Sequence, residues 1–170
     1  MKAVSVVSIV YGAFGLIWAA VVTILIRIQA VLFENFPWPE EVQEILDLPV
    51  LLESVNSVIA VLFPFVFLIA LIYIISGILQ LAGKSSFKNL AYSAAILNIV
   101  WYITYMVLMQ VEIVPVLNSL EVFPKNLMNM IFLLGMLFNA IFYCGYPVFL
   151  IIFIRRGGKE WDTFTTSYTS

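Results

Sequence analysis

Residues 73–101, YIISGILQLAGKSSFKNLAYSAAILNIVW, join the end of one apolar run to the start of another through a short basic link. The link GKSSFKN, residues 83–89, opens with Gly83, the residue that most often closes a helix. A connection this short between two long helices makes them antiparallel neighbours. The flanking runs are nearly free of charge and reach the length of about 20 residues that a helix needs to cross hydrocarbon. The stretch predicts a membrane hairpin.

Working outward, apolar runs of the same kind cover about 3–27, 57–82, 89–109 and 130–154. The expectation is an all-α integral membrane protein, an antiparallel bundle of four transmembrane helices forming one domain over 1–156. External loops would cover 28–56 and 110–129. The last residues, 157–170, are rich in Gly, Ser and Thr and predict a flexible cytoplasmic tail. The first run follows Met1 and Lys2 as a secretory signal does, but it is longer than the core of about 7 to 15 residues such signals carry. It reads as a retained span.

Positive charge sets direction. Lys2, Lys84, Lys88, Arg155, Arg156 and Lys159 fall on one side of the spans, against Arg27 and Lys125 on the other. Both termini and the 83–89 turn are therefore expected in the cytoplasm, in a bacterial inner membrane or its equivalent.

Composition agrees: 64% of the 170 residues are hydrophobic, 11% are charged, and mean hydropathy is +1.09. Soluble domains carry roughly a quarter charged residues. A net charge of -2 offers no basic surface for phosphates, which excludes nucleic acid as a partner. The chain has no histidine and one cysteine, Cys144. Haem ligation by paired His, a His or Cys zinc site, a dithiol relay and a His base lack their reagents. No metal, cofactor or catalytic residue is expected, and Cys144 reads as a small packing residue.

Five of the ten carboxylates lie between Glu34 and Asp47. Pro39 suits a first helical position and Glu40 and Glu41 a first turn, where they complement the helix dipole. Val42, Ile45, Leu46 and Pro49 follow i, i+3, i+4, i+7, with Glu40, Glu41, Glu44 and Asp47 opposite. This predicts a short amphipathic helix ending near Pro49, with Trp38 at the headgroup level. Pro115 and Pro124 bracket a weaker version in the second external loop. A calcium loop would need ligands alternating round a turn with Gly. No Gly occurs between Gly15 and Gly77. The acidic face, with Trp38, Glu40, Glu44 and Asp47, is instead a solvated surface or a docking face.

Helices in lipid gain no hydrophobic free energy by touching, so they associate through small residues and interhelical hydrogen bonds. The first span offers Ser8, Gly12, Gly15 and Ala19 in one stripe, flanked by Tyr11 and Trp18. The second carries Tyr73, Ser76, Gly77 and Gln80. The third carries Asn98, Trp101, Tyr102 and Tyr105, and the fourth Gly135, Asn139, Tyr143 and Tyr146. Counting 1.5 Å per residue from their respective ends gives Asn98 and Asn139 similar depths. A bond between them would contribute about 0.6 kcal/mol. Gly145, Pro147 and Pro64 predict bends. Bends open cavities, and the Tyr and Asn stripes would then line a neutral pocket facing the cytoplasm, unless they only pack. No Asp, Glu, Lys, Arg or His lies inside a span, against the habit of proton relays and ion-coupled carriers.

The 73–101 stretch resembles, in hydropathy and loop charge, small bacterial four-span proteins. It lacks the external tryptophan and paired cysteines of claudin-like proteins, and no family function is carried across. The expected function is a non-catalytic membrane protein acting by contact, as an accessory or assembly subunit or a self-associating bundle. Its partners would be the lipid bilayer and another membrane protein or itself. The alternative is a channel or carrier for a neutral or lipid-like molecule.

Overall fold

The structure, a computed structural model, describes residues 2–35, 48–119 and 124–166. Among them every regular element is helical: α1 (Lys2–Asn35), α2 (Leu48–Leu81), α3 (Phe87–Leu108), a π-helical turn (Met109–Ile113), α4 (Val114–Ser119) and α5 (Lys125–Thr166). Four segments are long and apolar enough to cross a membrane: Val4–Gln29, Glu53–Leu81, Phe87–Asn118 and Asn129–Arg156. α1 packs on α2, α2 on α3, and α3 on α5. The end of the bundle with the α2–α3 connection is called the turn end, the opposite one the loop end.

The turn itself follows from Gly83. Its φ of 70° is a left-handed conformation that glycine adopts without strain. That residue lets the Gly83 N–H reach the Gln80 carbonyl at 3.1 Å and the Lys84 N–H reach Leu79 at 2.9 Å. Orphan carbonyls at the end of α2 are thereby satisfied.

Several expected boundaries move. Pro49 is the second residue of α2, Leu48–Leu81, where its fixed φ fits and its missing N–H costs nothing. The remainder of the expected amphipathic helix, including Trp38, Glu40, Val42, Glu44, Ile45, Leu46 and Asp47, lies outside the described residues. The third helix does not stop at 109. It continues through the π-helical turn, where the Val114 N–H bonds to Met109 five residues back, and then through α4 to Ser119. Pro115 falls directly after the π-helical turn, at the second residue of α4. The wider turn brings Ile113 inward against Val58 and Leu62. The loops are correspondingly shorter than 28–56 and 110–129. α5 runs to Thr166, through the segment expected as a flexible tail. Extending an existing helix needs no new nucleus, so Gly157 and Gly158 do not end it.

α1 and α2 cross at glycine. A Cβ at Gly12 would lie 2.6 Å from the Ala70 carbonyl oxygen and 2.8 Å from Ile74 Cγ1. One at Gly77 would lie 2.7 Å from both the Ser5 carbonyl oxygen and Ile9 Cγ1. Ser5, Ser8 and Ala19 are buried along the same side of α1. α3 meets its neighbours through Ala91, Ala94 and Ala95, packed with Ile69 and Tyr73 of α2 and Leu150 of α5. Large apolar side chains such as Val10, Ile24, Phe65, Ile103 and Ile141 face outward. Such a surface matches hydrocarbon better than water.

Candidate functional site

Pro64 and Pro147 lie inside α2 and α5. A proline has no N–H for the carbonyl four residues earlier, so Pro147 leaves the Tyr143 carbonyl without its usual donor. Asn98 of α3 supplies one: its Nδ2 donates to that oxygen at 3.1 Å and to the Tyr11 hydroxyl at 3.0 Å. An amide nitrogen has two N–H groups, so both bonds form together. The Tyr11 hydroxyl sits 3.5 Å from the carbonyls of Phe142 and Tyr143, and its single proton serves one of them at a time. Nearer the turn end, the Ser8 and Tyr146 hydroxyls are 2.5 Å apart. α1, α3 and α5 are thus joined by neutral hydrogen bonds.

α2 enters this cluster through Tyr73. Its ring meets Tyr11 edge-on with centroids 5.2 Å apart and lies 5.7 Å from Tyr146. Tyr73 is 1% exposed, yet its hydroxyl has no hydrogen-bond partner. A buried unbonded hydroxyl is costly, because it has given up water and received nothing in return. A second aromatic layer lies toward the loop end. Trp101 stacks on Tyr105 at 5.7 Å and donates its indole N–H to Leu62 at 3.0 Å. Tyr102 stacks on Tyr143 at 5.6 Å and donates to the Met136 carbonyl.

The backbones of α1 and α5 do not pack together as the other neighbouring pairs do. Between them lies a groove of about 450 Å³. Its floor is Ile69, Ala70 and Tyr73 of α2. One wall is Phe14 and Trp18 of α1, the other Phe138, Asn139 and Phe142 of α5. Phe14, Phe138 and Phe142 are each at least 60% exposed, so the groove opens sideways between the two helices. Tyr11, Tyr143 and the Ser8–Tyr146 bond close it toward the turn end. No lining residue is charged. Asn139 is exposed on its wall, and its amide bonds to nothing among the described residues. A wider hollow of about 510 Å³ between α1 and α2, bordered by Ala20, Thr23, Phe63 and Pro64, has no such group. There the Thr23 hydroxyl is already bonded to Ala19 at 2.9 Å.

Ser8, Tyr11, Tyr73, Asn98, Trp101, Tyr105, Tyr143 and Tyr146 therefore meet in one polar aromatic core. Gly12 and Gly15 lie in the α1–α2 crossing, with Ala70 Cβ 3.3 Å from where a Cβ on Gly15 would be. Trp18 and Asn139 are on the groove. Ser76 donates to Tyr73 of its own helix at 2.9 Å, while Gln80 lies apart, its amide nitrogen buried and unbonded. Trp38, Glu40, Glu44 and Asp47 lie outside the described residues. Two expectations change. Asn98 and Asn139 do not bond, because Asn98 meets α5 at Tyr143, one turn or about 6 Å nearer the turn end. The cavity does not face the turn end, because the tyrosines close that side.

Sequence reasoning passed over Phe14, Ala70, Phe138 and Phe142 as groove residues, and the Tyr143 carbonyl as the acceptor for Asn98. Signals were present: Phe14 and Trp18, and Phe138 and Phe142, are i, i+4 aromatic pairs, with centroids 6.5 and 5.2 Å apart. Pro147 marks position 143 directly. No family model, curated protein or solved structure matches the chain.

Proposed function

We propose that this is a multi-pass membrane protein without catalytic activity that takes a neutral, lipid-like molecule from the bilayer into the groove between α1 and α5. The groove is the observation that supports it. Its volume, about 450 Å³, falls in the range of roughly 300–1,000 Å³ usual for small-molecule sites. An opening between two long apolar helices receives its occupant from lipid rather than from water. The closed tyrosine end favours holding or carrying a molecule over conducting one. The six-to-two distribution of positive charges orients the protein with both termini in the cytoplasm. No charged group lines the groove, and no reaction or cofactor is assigned to it.

Filling the groove tests the reading. Protein purified in mild detergent and extracted with organic solvent is expected to release a neutral lipid in fixed ratio, and a Val66→Trp substitution, on the α2 side of the groove, to lose it. Equal lipid recovery from both proteins counts against binding.

Asn139 favours a second reading, the accessory subunit or self-associating bundle. An unbonded amide on an exposed helix face is also what a neighbouring helix would meet. Native co-purification separates the two: a contact role requires a stoichiometric protein partner or a defined homo-oligomer that Asn139→Leu dissolves.

A further inference from the structure

One polar side chain open to the groove has no partner among the described residues: the Asn139 amide, exposed on the α5 wall. The Tyr73 hydroxyl is also unbonded, but it is buried behind the floor and does not reach the groove's surface. Asn139 is ten residues into the candidate span that begins at Asn129, about 15 Å along the helix axis. That is near the middle of a hydrocarbon layer of about 30 Å. At that depth neither water nor a lipid headgroup is at hand to complete its bonds.

We infer that Asn139 is the polar contact of a ligand site for a neutral amphiphile: an apolar chain or ring carrying a carbonyl or hydroxyl oxygen. The inference rests on the groove reading above and adds the ligand's chemistry to it. Asn139 Nδ2–H is the donor for such an oxygen, and Asn139 Oδ1 accepts from a ligand hydroxyl. Phe14, Trp18, Phe138 and Phe142 cover the apolar part. A plain hydrocarbon leaves the Asn139 amide unbonded. An anionic headgroup has no Lys or Arg in the lining to meet it, and an unpaired charge in this setting is strongly disfavoured.

The test uses the full chain in phosphatidylcholine vesicles with a diazirine-bearing monoacylglycerol as photoprobe. Crosslinks are expected within 11–18 and 138–143, and monooleoylglycerol should displace the probe. Hexadecane and oleate should compete less well by about fivefold or more, the loss expected for one neutral hydrogen bond. Asn139→Leu should weaken labelling by a similar factor of about five. Ile141→Leu, exposed and outside the groove, should leave it unchanged. Asn139 makes no bond among the described residues, so its replacement tests the inference without breaking a contact that holds the helices together.

Hexadecane competing as well as monooleoylglycerol, or Asn139→Leu labelling normally, overturns the polar contact and leaves the groove reading standing. Labelling spread evenly over the outer helix faces overturns both. Asn139→Leu converting an oligomer to a monomer with labelling intact assigns the amide to a contact between copies and overturns the inference.

Discussion

α1 meets its two neighbours in opposite ways. Against α2 the backbones come so close that a single added carbon at Gly12 or Gly77 would fall under 3 Å from the facing chain. Against α5 the backbones stay apart, and the hydroxyls of Ser8, Tyr11 and Tyr146 span the distance, Tyr11 reaching the Tyr143 carbonyl. Both solve the same problem, association where hydrophobic burial between helices contributes nothing. Glycine solves it by dispersion at short range and leaves no room. Tyrosine solves it by reaching, and a reaching side chain holds open the space beside it. The groove lies where the second solution was used.

Breaking the close contact should cost most. Gly12→Leu or Gly77→Leu forces α1 and α2 apart, and a loss of about 3 kcal/mol or more is expected from overpacking. Unfolding in mixed micelles measures it; near-native stability would mean that the glycine crossing does not hold the pair. Next comes the bridge. Asn98→Leu removes two donors and leaves the Tyr143 carbonyl only the long contact with the Tyr11 hydroxyl at 3.5 Å, for a loss of about 2 kcal/mol. Pro147→Ala restores the N–H that carbonyl lacks. In that background Asn98→Leu should cost less by about 1 kcal/mol, a coupling that a double-mutant cycle reads.

Tyr146→Phe removes one hydroxyl from the seam and is expected to cost about 0.6 kcal/mol, the average for an interhelical bond. Ser8→Ala added to it should cost little more, since the two share a bond. The smallest effect belongs to Asn139→Leu. The amide bonds to nothing, so stability in micelles should change by no more than about 0.5 kcal/mol, in keeping with an exposed position. A larger loss would reveal a partner for it inside the seam and narrow the contrast between the two sides of α1.

The sequence made the spans readable because charge-free apolar length is a one-dimensional property. It misled at Pro115, which looked like the boundary of an external segment, yet a π-helical turn before it carries the helix past. Pro49 stands in the first turn of α2, a place that suits proline as the residue after a helix end does, so residue type alone does not say which of the two it marks. Membership of the polar core was legible from the Tyr and Asn stripes. Their pairing was not, because depth estimated from opposite span ends drifts by a turn, and one turn separates Asn139 from the carbonyl that Asn98 meets. The fourth stripe also assumed a helix packed along its whole length. Gly135 has nothing within 4 Å of where its Cβ would be, while its neighbour Met136 is buried and accepts from Tyr102, so this part of α5 packs by the other face and leaves the one with Gly135 and Asn139 open. No pattern of residue types records which face that is.

Ser8 and Tyr146 are 138 residues apart along the chain. During synthesis α1, α2 and α3 can assemble through neighbouring contacts while Tyr146 and the Tyr143 carbonyl, which Ser8 and Asn98 meet, have yet to be made. The groove gains its second wall and its closed end only when the last span arrives and docks. On the proposed reading, an occupant would be admitted by a finished protein and never by a nascent one, and its presence would report that the four helices have come together in order.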